Sequence, residues 1–162
     1  MIPKIKKILY ATDLSEGSSQ AFAYAISLAL THDAKISIIT VYEKMTHNTN
    51  IEMRSDDFKT AKIKLAEKIK SRMHLYFEKE KSADGEYEKL IEKTYINYGL
   101  PEVEITELAK KENYDLIVMG THGHGFLFSA LIGSTAKKVV QISEVPVLVV
   151  RLPDKSNKIP AP

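Results

Sequence analysis

Three stretches of this chain run apolar almost without a break: "KISIITVYE" (Lys35 to Glu43), "YDLIVMG" (Tyr114 to Gly120) and "VPVLVV" (Val145 to Val150). A strand with one wet face alternates apolar and polar residues. A continuous, β-branched run needs both faces dry, the situation of a parallel sheet covered by helices on each side. The intervening segments carry the complementary period. Ser15 is a candidate N-cap for a helix whose Phe22, Ala25, Ile26 and Ala29 recur at three- and four-residue spacing. Phe58, Ala61, Leu65, Ile69, Met73 and Tyr76 mark a long amphipathic helix; Ile105, Leu108 and Ala109 share one side of a helix opened by Pro101; Ala136, Val139 and Val140 predict a short helix after Gly133. Two further strands complete the series. "KILYATD" (Lys7 to Asp13) is a short apolar run ending in turn residues, and "LIEKTYINYG" places Leu90, Thr94 and Ile96 at even spacing before Gly99, reading as a less buried strand. Met45 to Ser55 reads as a loop and Asp84-Gly85 as a turn. Strict alternation of strand and helix predicts one doubly wound α/β domain with a five-stranded parallel sheet, over residues 1–152. The tail from Pro153, with Pro160 and Pro162, reads as disordered.

Composition narrows the function. The 162 residues carry 23 Lys and Arg against 21 Asp and Glu, so no broad basic field awaits nucleic acid, which is excluded as a main partner. The absence of Cys removes disulfides, thiolate metal sites and cysteine nucleophiles. In "MIPKIKKILYATD" the apolar stretch meets Asp13 before reaching signal-peptide length, and nothing later approaches a membrane span. The expectation is a cytoplasmic protein with no membrane partner.

In doubly wound sheets, ligands bind at the carboxyl ends of strands where the winding reverses. Two stretches leave such ends with site-like chemistry: "ATDLS" (Ala11 to Ser15) and "GTHGHGFLFSALIGST" (Gly120 to Thr135). Gly120 and Gly123 permit sharp turns and close approach of backbone N–H groups to a ligand. Gly133-Ser134-Thr135 opens the next helix, where unpaired N–H donors and hydroxyls favour an anion, a phosphate above all. This is not a Walker A loop, because Phe126 stands where the lysine would follow, nor a dinucleotide fingerprint, because the glycines come after the fourth strand.

Plainer roles compete for several of these residues. Gly120, Gly123 and Gly133 can serve simply as turn and helix-start residues, and Asp13 can help cap the first helix. His122 and His124 lack a third ligand placed nearby by sequence, so a phosphate-side or solvent role is expected of His122 rather than a metal site. "FLFSALI" (Phe126 to Ile132) reads as loop packing. The lysine-rich helix from Lys59 to Lys81, interleaved with Glu67, Glu78 and Glu80, reads as a solvated face, and Asp115 falls at the sheet's amino end, away from the cleft.

Gly120-x2-Gly123-x9-Gly133-Ser134, with "GLPEVEITELAKKENYDLIVMGTHGHG", "GSTAKKVVQISEVPVLVV" and "YATDLSEGSSQAFAYA", resembles the universal stress protein family in its ATP-binding branch over nearly the whole domain. The resemblance implies an adenine nucleotide alpha-hydrolase-like sheet of order 3-2-1-4-5 and ATP as ligand, with Mg²⁺ or Mn²⁺ held through the phosphates. By the same resemblance Asp13 holds the ribose or adenine side, the Val41 backbone touches adenine, and Gly120, Gly123, Gly133, Ser134 and Thr135 cradle the phosphates. Ala11, Thr12, Met119 and His122 complete the implied binding set; the family often has Pro where this chain has Ala11. It further implies a homodimer paired through Val147, Leu148, Val149 and Val150. The implied function is regulation by ATP occupancy in a stress response. The alternatives are a slow ATPase or autophosphorylating enzyme in the same cleft, and a protein-interaction module independent of nucleotide. A flavin- or adenylate-handling protein is disfavoured because "ATDLSEGSS" lacks the Ser-Gly-Gly-x-Asp-Ser loop of ATP pyrophosphatases.

Overall fold

Strand β1 (Lys7–Ala11) lies at the centre of the sheet, hydrogen-bonded in parallel to β2 (Lys35–Tyr42) on one side and β4 (Leu116–Gly120) on the other. The computed structural model describes residues 1–15, 18–43, 55–79, 87–121 and 132–151. With β3 (Ile91–Tyr98) and β5 (Val147–Val150) outermost, the order is β3-β2-β1-β4-β5, every pairing parallel. The chain therefore starts in the middle, winds outward to β3, and returns past β1 to build the other half. The reversal falls between β1 and β4, and it brings the end of β1 beside that of β4, with Ala11 opposite Met119.

The period-two alternation of each strand divides the core into two layers. Ile8, Tyr10, Ile36 and Ile38 face helices α1 (Ser18–His32) and α2 (Ser55–Lys79), while Leu9, Ala11, Ile39 and Met119 face α3 (Pro101–Lys111) and α4 (Ser134–Ile142). Ala21, Ala25 and Ala29 on α1 are fully buried, and their small side chains let the helix lie close on the sheet. Phe22 ties the layer together, its ring centroid 5.1 Å from that of Tyr10 and 5.3 Å from that of Tyr76 on α2.

Gly99 ends β3 as the sequence predicts. A Cβ there would lie 2.7 Å from Glu104 Oε1, which α3 places against the turn, and Glu104 also accepts a 3.0 Å bond from Asn97 Nδ2. The even spacing expected of Leu90, Thr94 and Ile96 is realised in part, since Leu90, Ile96 and Tyr98 pack on the α1/α2 side while Thr94 stays exposed. Leu90 belongs to a 3₁₀ turn before the strand, Thr94 is exposed, and Ile96 alone is buried. The register is irregular only at the start, where Ile36 pairs with Ile91 but Ser37 with Lys93, and Thr94 can stay wet because β3 is an edge strand. β5 begins at Val147 rather than Val145, because Val145 is held in a turn by the Ser143 hydroxyl before Pro146. Ser15 contributes its backbone carbonyl, which accepts from the Ser18 amide at 3.2 Å as α1 begins. The expected loop up to Ser55, the Asp84-Gly85 turn and the tail from Pro153 lie outside the described residues, save that Ser55 itself opens α2. Among the described residues no helix is long and apolar enough to cross a membrane.

Candidate functional site

The turn after β1 is built by its own side chains. Thr12 N–H donates to the Ile39 carbonyl at 3.0 Å, prolonging the pairing with β2 by one residue. Thr12 Oγ1 then accepts from the Leu14 amide at 3.0 Å and Asp13 Oδ1 from the Ser15 amide at 2.9 Å. Between them Leu14 adopts a left-handed backbone, φ 61°, at a cost of about 1–2 kcal/mol that its buried side chain offsets. The result is a tight reversal that presents the Asp13 carboxylate, exposed, at the rim of the sheet's carboxyl edge. Asp13 thus closes the turn through the Ser15 amide rather than capping α1, which begins at Ser18, and it lines the cleft as well.

The second wall is formed where β4 ends. Thr121 N–H bonds the Val150 carbonyl at 2.9 Å, and the Thr121 carbonyl accepts from Gly133 N–H at 2.6 Å. The chain therefore leaves β4 and re-enters α4 at one point. Gly133 is the N-cap of α4, extended at φ −65° and ψ 159°, and among the described residues no side chain caps the helix. Its first turn holds Ser134 and Thr135 and no acid, whereas α3 begins with Glu102 and Glu104. An uncapped helix start without a carboxylate keeps its amide donors and its partial positive charge for an external anion.

Both walls face one cleft of about 700 Å³. Ala11, Thr12, Asp13, Val41, Met119, Gly120, Gly133, Ser134 and Thr135 all line it, residues spread over 125 positions of sequence and brought together by the strand order. His122 and Gly123, also predicted as site residues, lie outside the described residues, as does Phe126 to Leu131 of the expected loop packing; Ile132 is exposed. Asp115 is where its sequence position puts it, at the amino edge, with Oδ2 accepting from the Lys6 and Lys7 amides at 2.8 Å each.

The cleft also contains residues that the sequence reading did not single out. Thr40 and Tyr42 face the α1/α2 layer, opposite in sense to Val41. The Tyr42 ring lies 6.0 Å from that of Tyr98; burial pushes its phenol up, Tyr98 adds to this, and Arg72 opposes it. Lys68 and Arg72, one turn apart on α2, line the same wall. The lysine-rich composition of α2 concealed them; the signal lies in their flanking of Ile69 and Met73, which face the core. Below the cleft, the Tyr10 hydroxyl donates to the Ser18 carbonyl at 2.8 Å, and burial pushes its pKa up to about 12. Among the described residues no three His, Asp or Glu converge to hold a metal ion. A phosphate group fits the donors at the start of α4.

The profile of the universal stress protein family matches residues 4–151 of this chain. The chain is similar to Universal stress protein MJ0531 of Methanocaldococcus jannaschii, 34% identical over 155 residues that cover 93% of this chain and 84% of that protein. It is also similar to Universal stress protein MJ0577 of the same organism, 31% identical over 158 residues, 90% of this chain and 94% of the other. The solved structure of MJ0577 superposes with a TM-score of 0.70 at 28% identity, covering 94% of this chain and 99% of that one. A universal stress protein solved in complex with cAMP shares the fold, with a TM-score of 0.56 at 22% identity over 92% of this chain and 98% of that one.

Proposed function

This chain belongs to the universal stress protein family, and from that premise we propose that it is an ATP-binding member, cytoplasmic and homodimeric, in which nucleotide occupancy carries a regulatory signal. The observation that supports this reading most directly is the uncapped, acid-free start of α4, facing the same cleft as Asp13. In the proposed complex Asp13 holds the ribose, the Val41 backbone meets adenine, and Gly120, Gly123, Gly133, Ser134 and Thr135 surround the phosphates. Ala11, Thr12, Met119 and His122 complete the walls. A Mg²⁺ or Mn²⁺ ion enters on the phosphate oxygens. A fold that holds cAMP in a relative is consistent with a nucleotide as ligand class.

Binding rather than turnover is the better fit. Phosphoryl transfer needs cationic stabilisation at the transferring group, and the cleft's lysine and arginine belong to α2, which packs on the face of the sheet opposite α4. Regulation follows if ATP has unequal affinity for two states of the protein or its partners. Dimerisation uses β5, an edge strand of apolar residues paired with β4 alone among the described residues.

The test is Gly133→Asp. At an extended N-cap position Asp is at least as good a cap as Gly, so the fold is retained, but its carboxylate occupies the α4 donors and repels phosphate. Nucleotide released by denaturing freshly purified protein is identified by mass spectrometry. ATP from the wild type and none from a folded Gly133→Asp supports the reading; ATP retained by the variant, or a wild type that neither carries nor takes up ATP, overturns it.

A further inference from the structure

The start of α4 is one anion-favouring pole of the cleft, and the α2 wall supplies a second. Lys68 and Arg72 stand four residues apart on α2, both exposed, both lining the cleft. Like charges at this spacing destabilise a helix unless something compensates. Four lysines meet carboxylates, in the pairs Lys6–Asp33, Lys93–Glu112, Lys110–Glu144 and Lys138–Glu102, whereas several others on α2, Lys64 and Lys70 among them, meet none among the described residues. Among the described residues neither Lys68 nor Arg72 has such a partner. The same wall holds Thr40, 1% exposed, whose hydroxyl has no hydrogen-bond partner among the described residues. Two cations and a buried, unbonded hydroxyl on one wall of the cleft have the chemistry to receive an anion.

Resting on the nucleotide reading above, we propose that Lys68 and Arg72 form a second phosphate subsite, and that the ligand class of this chain includes nucleotides bearing a phosphate on the ribose 2′ or 3′ oxygen besides the 5′ phosphate. The topology supports the assignment. Asp13, the proposed ribose contact, follows the central strand β1, with α4 beyond β4 to one side and the β2 end with its α2 cover to the other. A 5′ phosphate directed to α4 leaves the 2′ and 3′ oxygens for the opposite wall. Arg72 brings a planar fork of donors suited to a phosphate, and Lys68 a point charge beside it. Their charge also offsets the repulsion that Asp13 exerts on a second phosphate.

The experiment is calorimetric titration of wild type and of Lys68→Gln/Arg72→Gln with AMP and with adenosine 3′,5′-bisphosphate. Wild type should bind the bisphosphate about tenfold or more tightly than AMP, the worth of one hydrogen bond to a charged group, and the double variant should bring that ratio to about one. Equal affinities in the wild type, or a preference that survives in the variant, overturn the second subsite while leaving the nucleotide reading intact. A wild type that binds neither compound overturns this subsite, and the nucleotide reading falls with it only where ATP is not taken up either.

Discussion

Two buried hydroxyls near the cleft offer a test with opposite signs. Thr40 is 1% exposed and its Oγ1 has no partner among the described residues; Tyr10 is 4% exposed and its hydroxyl donates to the Ser18 carbonyl at 2.8 Å. A buried, unbonded hydroxyl costs about 1–3 kcal/mol relative to its hydrated state in the unfolded chain. Thr40→Val replaces that oxygen with a methyl group of similar size. Both residues are β-branched, so the strand backbone is undisturbed. The ligand-free protein should therefore gain about 1–2 kcal/mol. For a chain of this length that raises Tm by roughly 2–4 °C for each kcal/mol. Tyr10→Phe removes a bonded hydroxyl and should lower stability by about 1 kcal/mol. Urea unfolding followed by circular dichroism measures both as midpoint shifts at constant slope. A Thr40→Val protein less stable than wild type would refute the reasoning, since the hydroxyl would then be bonded in the native state. If Thr40 also donates to a bound phosphate, the same substitution reduces the thermal shift given by adenosine 3′,5′-bisphosphate while raising the Tm of the empty protein.

Glu102 Oε1 accepts from Lys138 Nζ at 2.8 Å, clamping α3 to α4 beside the cleft, and this bond with the Lys138 charge holds its carboxyl below the usual carboxylate range. A depressed native pKa gives stability that is present above the unfolded value and lost as pH falls through the folded one. Glu102→Gln should accordingly lower the urea midpoint slightly at neutral pH and not at all in strong acid; an equal loss at both pH values would remove the ion pair as its cause. In β5, the carbonyls of Pro146 and Val150 bond the amides of Ile117 and Thr121, so the backbone groups of Val149 point away from β4. Val149→Pro deletes an outward donor, and light scattering after gel filtration should report a folded monomer where the wild type is a dimer. A dimer that persists would place the interface elsewhere.

Much of the fold was legible because burial on two faces leaves a mark that burial on one does not. "KISIITVYE" and "YDLIVMG" could be only covered strands, and Ile36, Ile38 and Ile39 are all sealed in the core. β3 was harder to read, because at a sheet edge Thr94 can face water and Leu90 stands in a 3₁₀ turn before the strand. The glycine and Asp13 stretches showed their chemistry locally, since turn-forming residues and a helix start act through their immediate neighbours. Lys68 and Arg72 had no such local sign. Each looked like one more cation on a charged helix, and only the packing of Ile69 and Met73 against the sheet turns that side of α2 toward the cleft.

By itself the sequence determined the alternation of elements, the covered parallel sheet and the helix start able to receive an anion, because periodicity, turn chemistry and capping are properties of residues a few positions apart. The tertiary structure decided which of these meet. Asp13 and Ser134 share a cleft because the winding reverses between β1 and β4, and Lys68 joins them because α2 packs beside the end of β2. Such meetings depend on how whole layers pack, and the free energy of layer packing is a sum over many residues that no short stretch of sequence contains.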